Sequence, residues 1–104
     1  MIIINKSIIQ KNKQCFVCGK TYNLHLHHIF FGKNRKNSDK DGLTVYLCYE
    51  DHEGTNGVHG KNGHNLDIKL KELAEKTWCE YYNKTPEDFR ERYGRNFLWN
   101  LKIW

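Results

Sequence analysis

Residues 24–30, Leu24-His25-Leu26-His27-His28-Ile29-Phe30, alternate apolar and imidazole side chains over their first four positions. Successive side chains on a strand point to opposite faces, so the segment predicts a strand with His27 and His28 on different sides. One can then ligate a metal while its neighbour handles a proton. Leu43-Thr44-Val45-Tyr46-Leu47-Cys48, β-branched and aromatic, predicts a second strand. The Gly32–Gly42 connection between them reads as a long polar loop, more than a tight hairpin needs.

Beyond this pair the periodicity changes. Leu66, Leu70, Leu73, Ala74, Thr77, Trp78 and Tyr81 recur at helical spacing, which predicts an amphipathic helix over 66–83. Lys69, Lys71, Glu72, Glu75, Lys76 and Glu80 are expected on its outer face. Thr85-Pro86-Glu87-Asp88 supplies an N-cap, a first-turn proline and first-turn acids for a second helix, running to Tyr93 and ending at Gly94. Residues 1–14 read as an edge strand or a loosely held arm. The expected class is α+β, one domain over 1–104: an arm (1–14), a metal-binding core (15–65) and a C-terminal helical extension (66–104). The apolar Trp99–Trp104 end is expected to pack back on the core.

A length of 104 residues leaves no room for a second domain of ordinary size. With 38% hydrophobic and 13% aromatic residues, one compact core is affordable and a disordered chain is excluded. No apolar run approaches the roughly 20 residues of a membrane span. Met1-Ile2-Ile3-Ile4 stops at Asn5-Lys6, too short for a signal-peptide core, so a cytoplasmic protein with no membrane partner is expected. The net charge of +5 is unevenly placed: residues 1–40 hold eight Lys/Arg against Asp39 alone, and the remainder nine against eleven acids. A basic half suggests a polyanionic partner. Lys33, Arg35 and Lys36 form its sharpest patch, suited to phosphate contacts.

Four Cys and six His in so short a chain point to metal. Cys15-Phe16-Val17-Cys18-Gly19 is a CxxC knuckle whose spacing lets two thiolates reach one tetrahedral zinc, with Cys48 the obvious third ligand. The fourth is Asp51, three residues after Cys48, or else His52. Cys79, amid the aromatic residues of the predicted helix, reads as a buried thiol. His27, His28, His52 and His59 form a second group at strand ends and a glycine-rich turn, while His25 and His64 have no assigned task.

The order CxxCG, HHIFFG, LTVYLCYEDHEGTNGVHG resembles the HNH (ββα-metal, or His-Me finger) endonuclease superfamily. Within it, the chain is similar to small phage and prophage HNH proteins related to the RecA-dependent nuclease family. The match spans about residues 15–98, and Arg92-Tyr93-Gly94-Arg95-Asn96-Phe97-Leu98 continues it into the tail. The resemblance implies a zinc-stabilised ββα-metal core, and the spacing itself gives Cys15, Cys18, Cys48 and Asp51 as the expected structural Zn2+ ligands. The resemblance also implies His28 as general base and His27, His52 and His59 as ligands of a catalytic divalent metal (Zn2+, Ni2+, Mn2+ or Mg2+). Two departures stand out. Asp51 occupies the place where relatives carry the first member of a His pair, and the superfamily's middle Asn is not evident, Thr44 falling near its position.

The implied activity is hydrolysis of DNA phosphodiester bonds, leaving 5′-phosphate and 3′-hydroxyl ends, in phage recombination or DNA processing. DNA is the implied partner, with a RecA-type recombinase filament as a further one. A neutral imidazole suits proton transfer near neutral pH, and imidazole ligands favour Zn, Ni or Mn over oxygen-seeking Mg. The competing expectation is a non-catalytic zinc-stabilised nucleic-acid-binding or recombinase-accessory module, which leaves His28 and His59 without a role.

Overall fold

In a computed structural model, residues 6–98 are described; the Met1–Ile4 stub and the Trp99–Trp104 end lie outside them. Strand β1 (Leu24–His28) pairs antiparallel with β2 (Thr44–Cys48), the register setting His28 opposite Thr44, His27 opposite Val45 and Leu24 opposite Cys48. Ile29 and Phe30, expected within the first strand, leave it and enter the core. A short helix α2 (Tyr49–His52) follows β2, then a glycine-rich turn, then α3 (His64–Tyr82) and α4 (Pro86–Tyr93). The protein is thus a small α+β domain built on a two-stranded sheet. No helix among the described residues is long and apolar enough to cross a membrane.

The Gly32–Gly42 connection is not a loop. It forms a 3-10 turn (Gly32–Asn34) and helix α1 (Arg35–Asp41), closed by Gly42 at φ +75°. Its sequence, Arg-Lys-Asn-Ser-Asp-Lys-Asp, shows no apolar period because the inward face is polar: Ser38, Asp39 and Asp41 are buried. Ser38 Oγ donates to Leu43 O at 2.8 Å, and Asn34 and Asn37 donate to the carbonyls of Tyr93 and Arg92.

Asp41 is the hub that ties α1 to the two long helices. Its carboxylate accepts from Trp78 Nε1 (2.9 Å), Tyr93 OH (2.6 Å) and Arg92 Nε and Nη2 (2.6 and 2.8 Å). Asp41→Ala strands the buried Trp78 and Tyr93 donors, and each unsatisfied donor costs about 1–3 kcal/mol. A stability loss of about 3 kcal/mol is therefore expected in urea unfolding. A loss under about 1 kcal/mol would show that packing alone holds α1 in place.

The core joins the inner side of the sheet to the helices through Ile29, Leu43, Val45, Leu47, Leu70, Ala74, Trp78, Phe89 and Tyr93. Phe30 lies 4.7 Å, ring to ring, from Tyr93, which stacks on Phe89 at 4.6 Å. Two assignments on α3 are corrected. Tyr81, expected inward, is 64% exposed, whereas Glu75, expected outward, is fully buried. Glu75 Oε1 accepts from the backbone N–H of Phe97 (2.6 Å) and Leu98 (3.2 Å), and Oε2 from Asn96 Nδ2 (2.9 Å). Those donors arrive from the chain after α4 and satisfy the buried carboxylate.

α4 begins as expected, with a capping box in which Thr85 Oγ1 accepts from Asp88 N and Asp88 Oδ2 from Thr85 N. The described part of the arm forms no strand. It lies along the outer edge of β2, where Ser7 Oγ donates to Thr44 O and Tyr46 N to Gln10 Oε1, and the knuckle continues this cover with Phe16 N donating to Tyr46 O. An edge covered in this way no longer offers unpaired backbone groups to another strand.

Candidate metal centres

Two clusters of ligand side chains lie at the α2 end of the sheet. The first gathers Cys15, Cys18, Cys48 and Asp51, their ligand atoms all within 4.8 Å of one another. The knuckle is shaped by Cys15 N donating to Lys20 O and by Gly19 N to Cys15 O, with Gly19 at φ +83°. Register brings Cys48 to the end of β2, and the first turn of α2 carries Asp51 back over it.

Tetrahedral zinc with Zn–S bonds near 2.3 Å needs S···S edges of about 3.8 Å and somewhat shorter S···O edges. Cys18 Sγ and Cys48 Sγ are 3.7 Å apart, and Asp51 Oδ2 lies 3.2 Å from the sulfurs of both Cys15 and Cys48. The donor set fits a metal ion, with Asp51 rather than His52 in fourth place. Without a cation, burial pushes the Cys48 thiol up to about 12. Burial acts the same way on Cys15, but backbone donors at Cys18, Cys48 and Val17 outweigh it and lower that pKa. A bound dication would invert the situation at Cys48, because a coordinating thiol is deprotonated. Cys79 lies buried in α3, outside the cluster.

The second cluster is His27, His52 and His59, with ligand nitrogens within 4.8 Å of one another. Ring centroids are 5.2 Å apart for His27–His52, 5.4 Å for His27–His59 and 4.7 Å for His52–His59. The glycine-rich turn makes this convergence possible: Val58 N donates to Asp51 O and His59 N to His52 O, both at 2.9 Å, folding His59 back against α2. At Gly57 an added Cβ would fall 2.7–2.8 Å from the Asp51 backbone, so the turn closes only without a side chain there.

His27 is 1% exposed, and its Nε2 is buried with no hydrogen-bond partner. Burial first, then the neighbouring His52 and His59, hold it neutral with a pKa near 3. A neutral buried imidazole with an unused nitrogen carries a desolvation cost that a metal ion would relieve. His52 is also shifted down, chiefly by burial, while His59 is exposed and leaves the cluster open to solvent. His25, left unassigned by the sequence, places Nδ1 at 2.9 Å from His52 Nδ1. That contact occupies one nitrogen of His52 and directs the other toward a ligand role. His25 and Glu53 also come within ligand reach of His52 as an overlapping group.

His28 points away from this cluster's strand face. Its Nδ1 lies 2.5 Å from Asp39 Oδ1, and Arg35 Nη2 lies 3.2 Å from its Nε2. Asp39 is fully buried on α1; its other oxygen has no hydrogen-bond partner among the described residues and lies 3.8 Å from Arg35 Nε. The carboxylate accepts from Nδ1–H, so Nε2 holds the lone pair, directed outward. No local signal marks Asp39 as a functional residue, because α1 lacks periodicity; its place as the one acid among residues 1–40 was the nearest hint.

The basic patch is divided by the fold. Arg35 turns to His28 and Asp39, Lys36 stays exposed, and Lys33 lines a cleft with Lys71 and Arg95. No family model, curated protein or solved structure matches the chain.

Proposed function

We propose that the chain is a metal-dependent endonuclease of the ββα-metal (HNH) type, hydrolysing DNA phosphodiester bonds. The observation that carries this reading is the pairing of a three-imidazole cluster, containing the unpartnered His27 Nε2, with a carboxylate-held imidazole on the other strand face. A purely structural metal site would explain the first and give no reason for the second. The Cys15, Cys18, Cys48 and Asp51 centre is read as structural zinc.

In this mechanism His28 Nε2 takes a proton from water as the water oxygen bonds to phosphorus. The bond from phosphorus to the 3′ oxygen breaks, and that oxygen is protonated from solvent, leaving 5′-phosphate and 3′-hydroxyl ends. Asp39 fixes the His28 tautomer and offsets the imidazolium charge as it forms, as a buried carboxylate does for other catalytic imidazoles. A divalent cation on His27, His52 and His59 would supply positive charge for the phosphate and the leaving oxygen. Arg35 donates to His28 Nε2 in the resting arrangement, but its side chain is 54% exposed. It is free to swing onto the phosphate and release the base's lone pair.

The test is plasmid nicking by the wild-type protein across Mn2+, Ni2+, Zn2+ and Mg2+, with and without a RecA-type filament, alongside a count of bound metals. The expected result is nicking with Mn2+ or Ni2+, one inert zinc per chain and a second, exchangeable ion. A single inert zinc with no cleavage under any metal would instead identify a zinc-stabilised binding module.

A further inference from the structure

We infer that the cleft between the 3-10 turn, α3 and the chain after α4 is a phosphate subsite, holding the backbone of the same nucleic-acid strand beside the histidine cluster. This rests on the nuclease reading and extends it to a substrate contact outside the metal site. The cleft has a volume of about 220 Å³ and brings Lys33, Lys71 and Arg95 together with Phe31 and Phe97. Its cations come from three separate segments, and no carboxylate lines it.

Each cation is held in a distinct way. Lys71 Nζ lies 4.4 Å over the Phe31 ring and 2.9 Å from Asp67, so its charge is partly answered and its position fixed. The Arg95 guanidinium lies 4.6 Å over Phe97. Stacking leaves the edge donors of a guanidinium available, in the fork geometry that matches a phosphate. Lys33 is exposed and lines the cleft. Neither Lys33 nor Arg95 has a carboxylate partner among the described residues.

Phe31 joins the two sites. Its ring is 5.4 Å from His59 and 6.5 Å from His27 on one side, and it lines the cleft on the other. It is 46% exposed, large for a Phe in so small a domain, and offers surface against which a base of the bound strand can rest. A polyanion with its scissile phosphate at the histidines would pass this ring and meet the cations. A small carboxylate or a free phosphate would need no such continuity with the metal cluster.

The experiment measures binding in a His28→Ala background, which removes cleavage from the readout. Fluorescence anisotropy of labelled single-stranded and duplex oligonucleotides is followed across a salt series. Lys33→Ala and Arg95→Ala should each weaken Kd roughly 5- to 10-fold at low salt and lower the steepness of log Kd against log salt by about one. Arg95→Lys should recover part of the loss. Lys84→Ala, an equal charge change on an exposed lysine outside the cleft, should shift Kd by less than about twofold.

Lys33 and Arg95 variants indistinguishable from Lys84→Ala would overturn the inference, as would absence of binding by the parent. Failure of the nuclease reading appears elsewhere, in wild-type nicking. A protein that binds with the expected slopes but never cuts keeps this subsite and loses that reading.

Discussion

Replacing Cys48 with alanine should strip the metal from the cysteine centre and lower the melting temperature by roughly 15 °C or more. Structural zinc contributes about 10–16 kcal/mol of apparent binding free energy in small domains. That exceeds the entire stability of many such folds. Cys48 sits where the centre, the end of β2 and the start of α2 meet, so its loss releases Asp51 and the paired knuckle together.

Cys79→Ala is the internal control. Cys79 is also buried, at 3% exposure against 1% for Cys48, and truncation removes the same single sulfur. Any cavity cost is therefore shared, at about 1 kcal/mol, and the difference between the variants isolates the metal. Zinc content by elemental analysis and thermal unfolding by circular dichroism decide the matter. Full zinc occupancy in Cys48→Ala, or a melting temperature within a few degrees of the Cys79→Ala protein, would sink the structural-zinc assignment.

The second large effect is expected at His28. His28→Ala should slow DNA nicking by about 10³-fold, within the range assigned to a positioned general base, while zinc content and melting temperature stay near wild type. His28 is not in either ligand cluster, so its removal leaves the side chains of both clusters in place. Added imidazole should restore part of the rate, because a free base can enter the space vacated by the side chain. Restoration separates a missing base from a damaged metal site.

Asp39→Asn should also slow nicking, by as much as about 10⁴-fold, the loss expected when the carboxylate that orients a catalytic imidazole becomes an amide. The amide keeps the shape and an acceptor oxygen but loses the negative charge that faces the forming imidazolium. Wild-type nicking by His28→Ala would remove that residue from the mechanism. Equal and complete loss in both variants, unrescued by imidazole and accompanied by a lowered melting temperature, would point to a structural role for the pair.

The elements that could be read from the sequence are those whose signal is local. Alternation over Leu24–His28 puts His27 and His28 on opposite faces of β1, and each now meets a different set of partners. The 3.6-residue period of α3 and the Thr85–Asp88 box of α4 mark both helices within two residues. The CxxC spacing and the three-residue step from Cys48 to Asp51 likewise follow from one turn of chain each.

What escaped the sequence is polar and buried. α1 carries no helical signal in the sequence because its inward face is Ser38, Asp39 and Asp41 rather than an apolar stripe. Glu75 reads as an outer-face residue because of its charge, and the partners that bury it lie more than 20 residues away. His25 has no task legible in the sequence, since only the approach of α2 to β1 brings His52 to its ring. Lys71 reads as outer-face charge on α3 and Arg95 as part of the Arg92–Leu98 stretch, and only the fold sets both beside Lys33.

The sequence by itself determined β1, β2, α3 and α4, and that Cys15, Cys18, Cys48 and Asp51, and His27, His52 and His59, lie close enough to share an ion. Those depend on backbone periods and short spacings, which act within a few residues. Only the tertiary structure decided which carboxylates are buried, which imidazole is held by Asp39, and which lysines share a cleft. A buried polar group persists only where distant segments bring the donors that offset its desolvation. Nothing in the neighbouring residues records that, and so the partner of His28 was visible only once α1 had folded against β1.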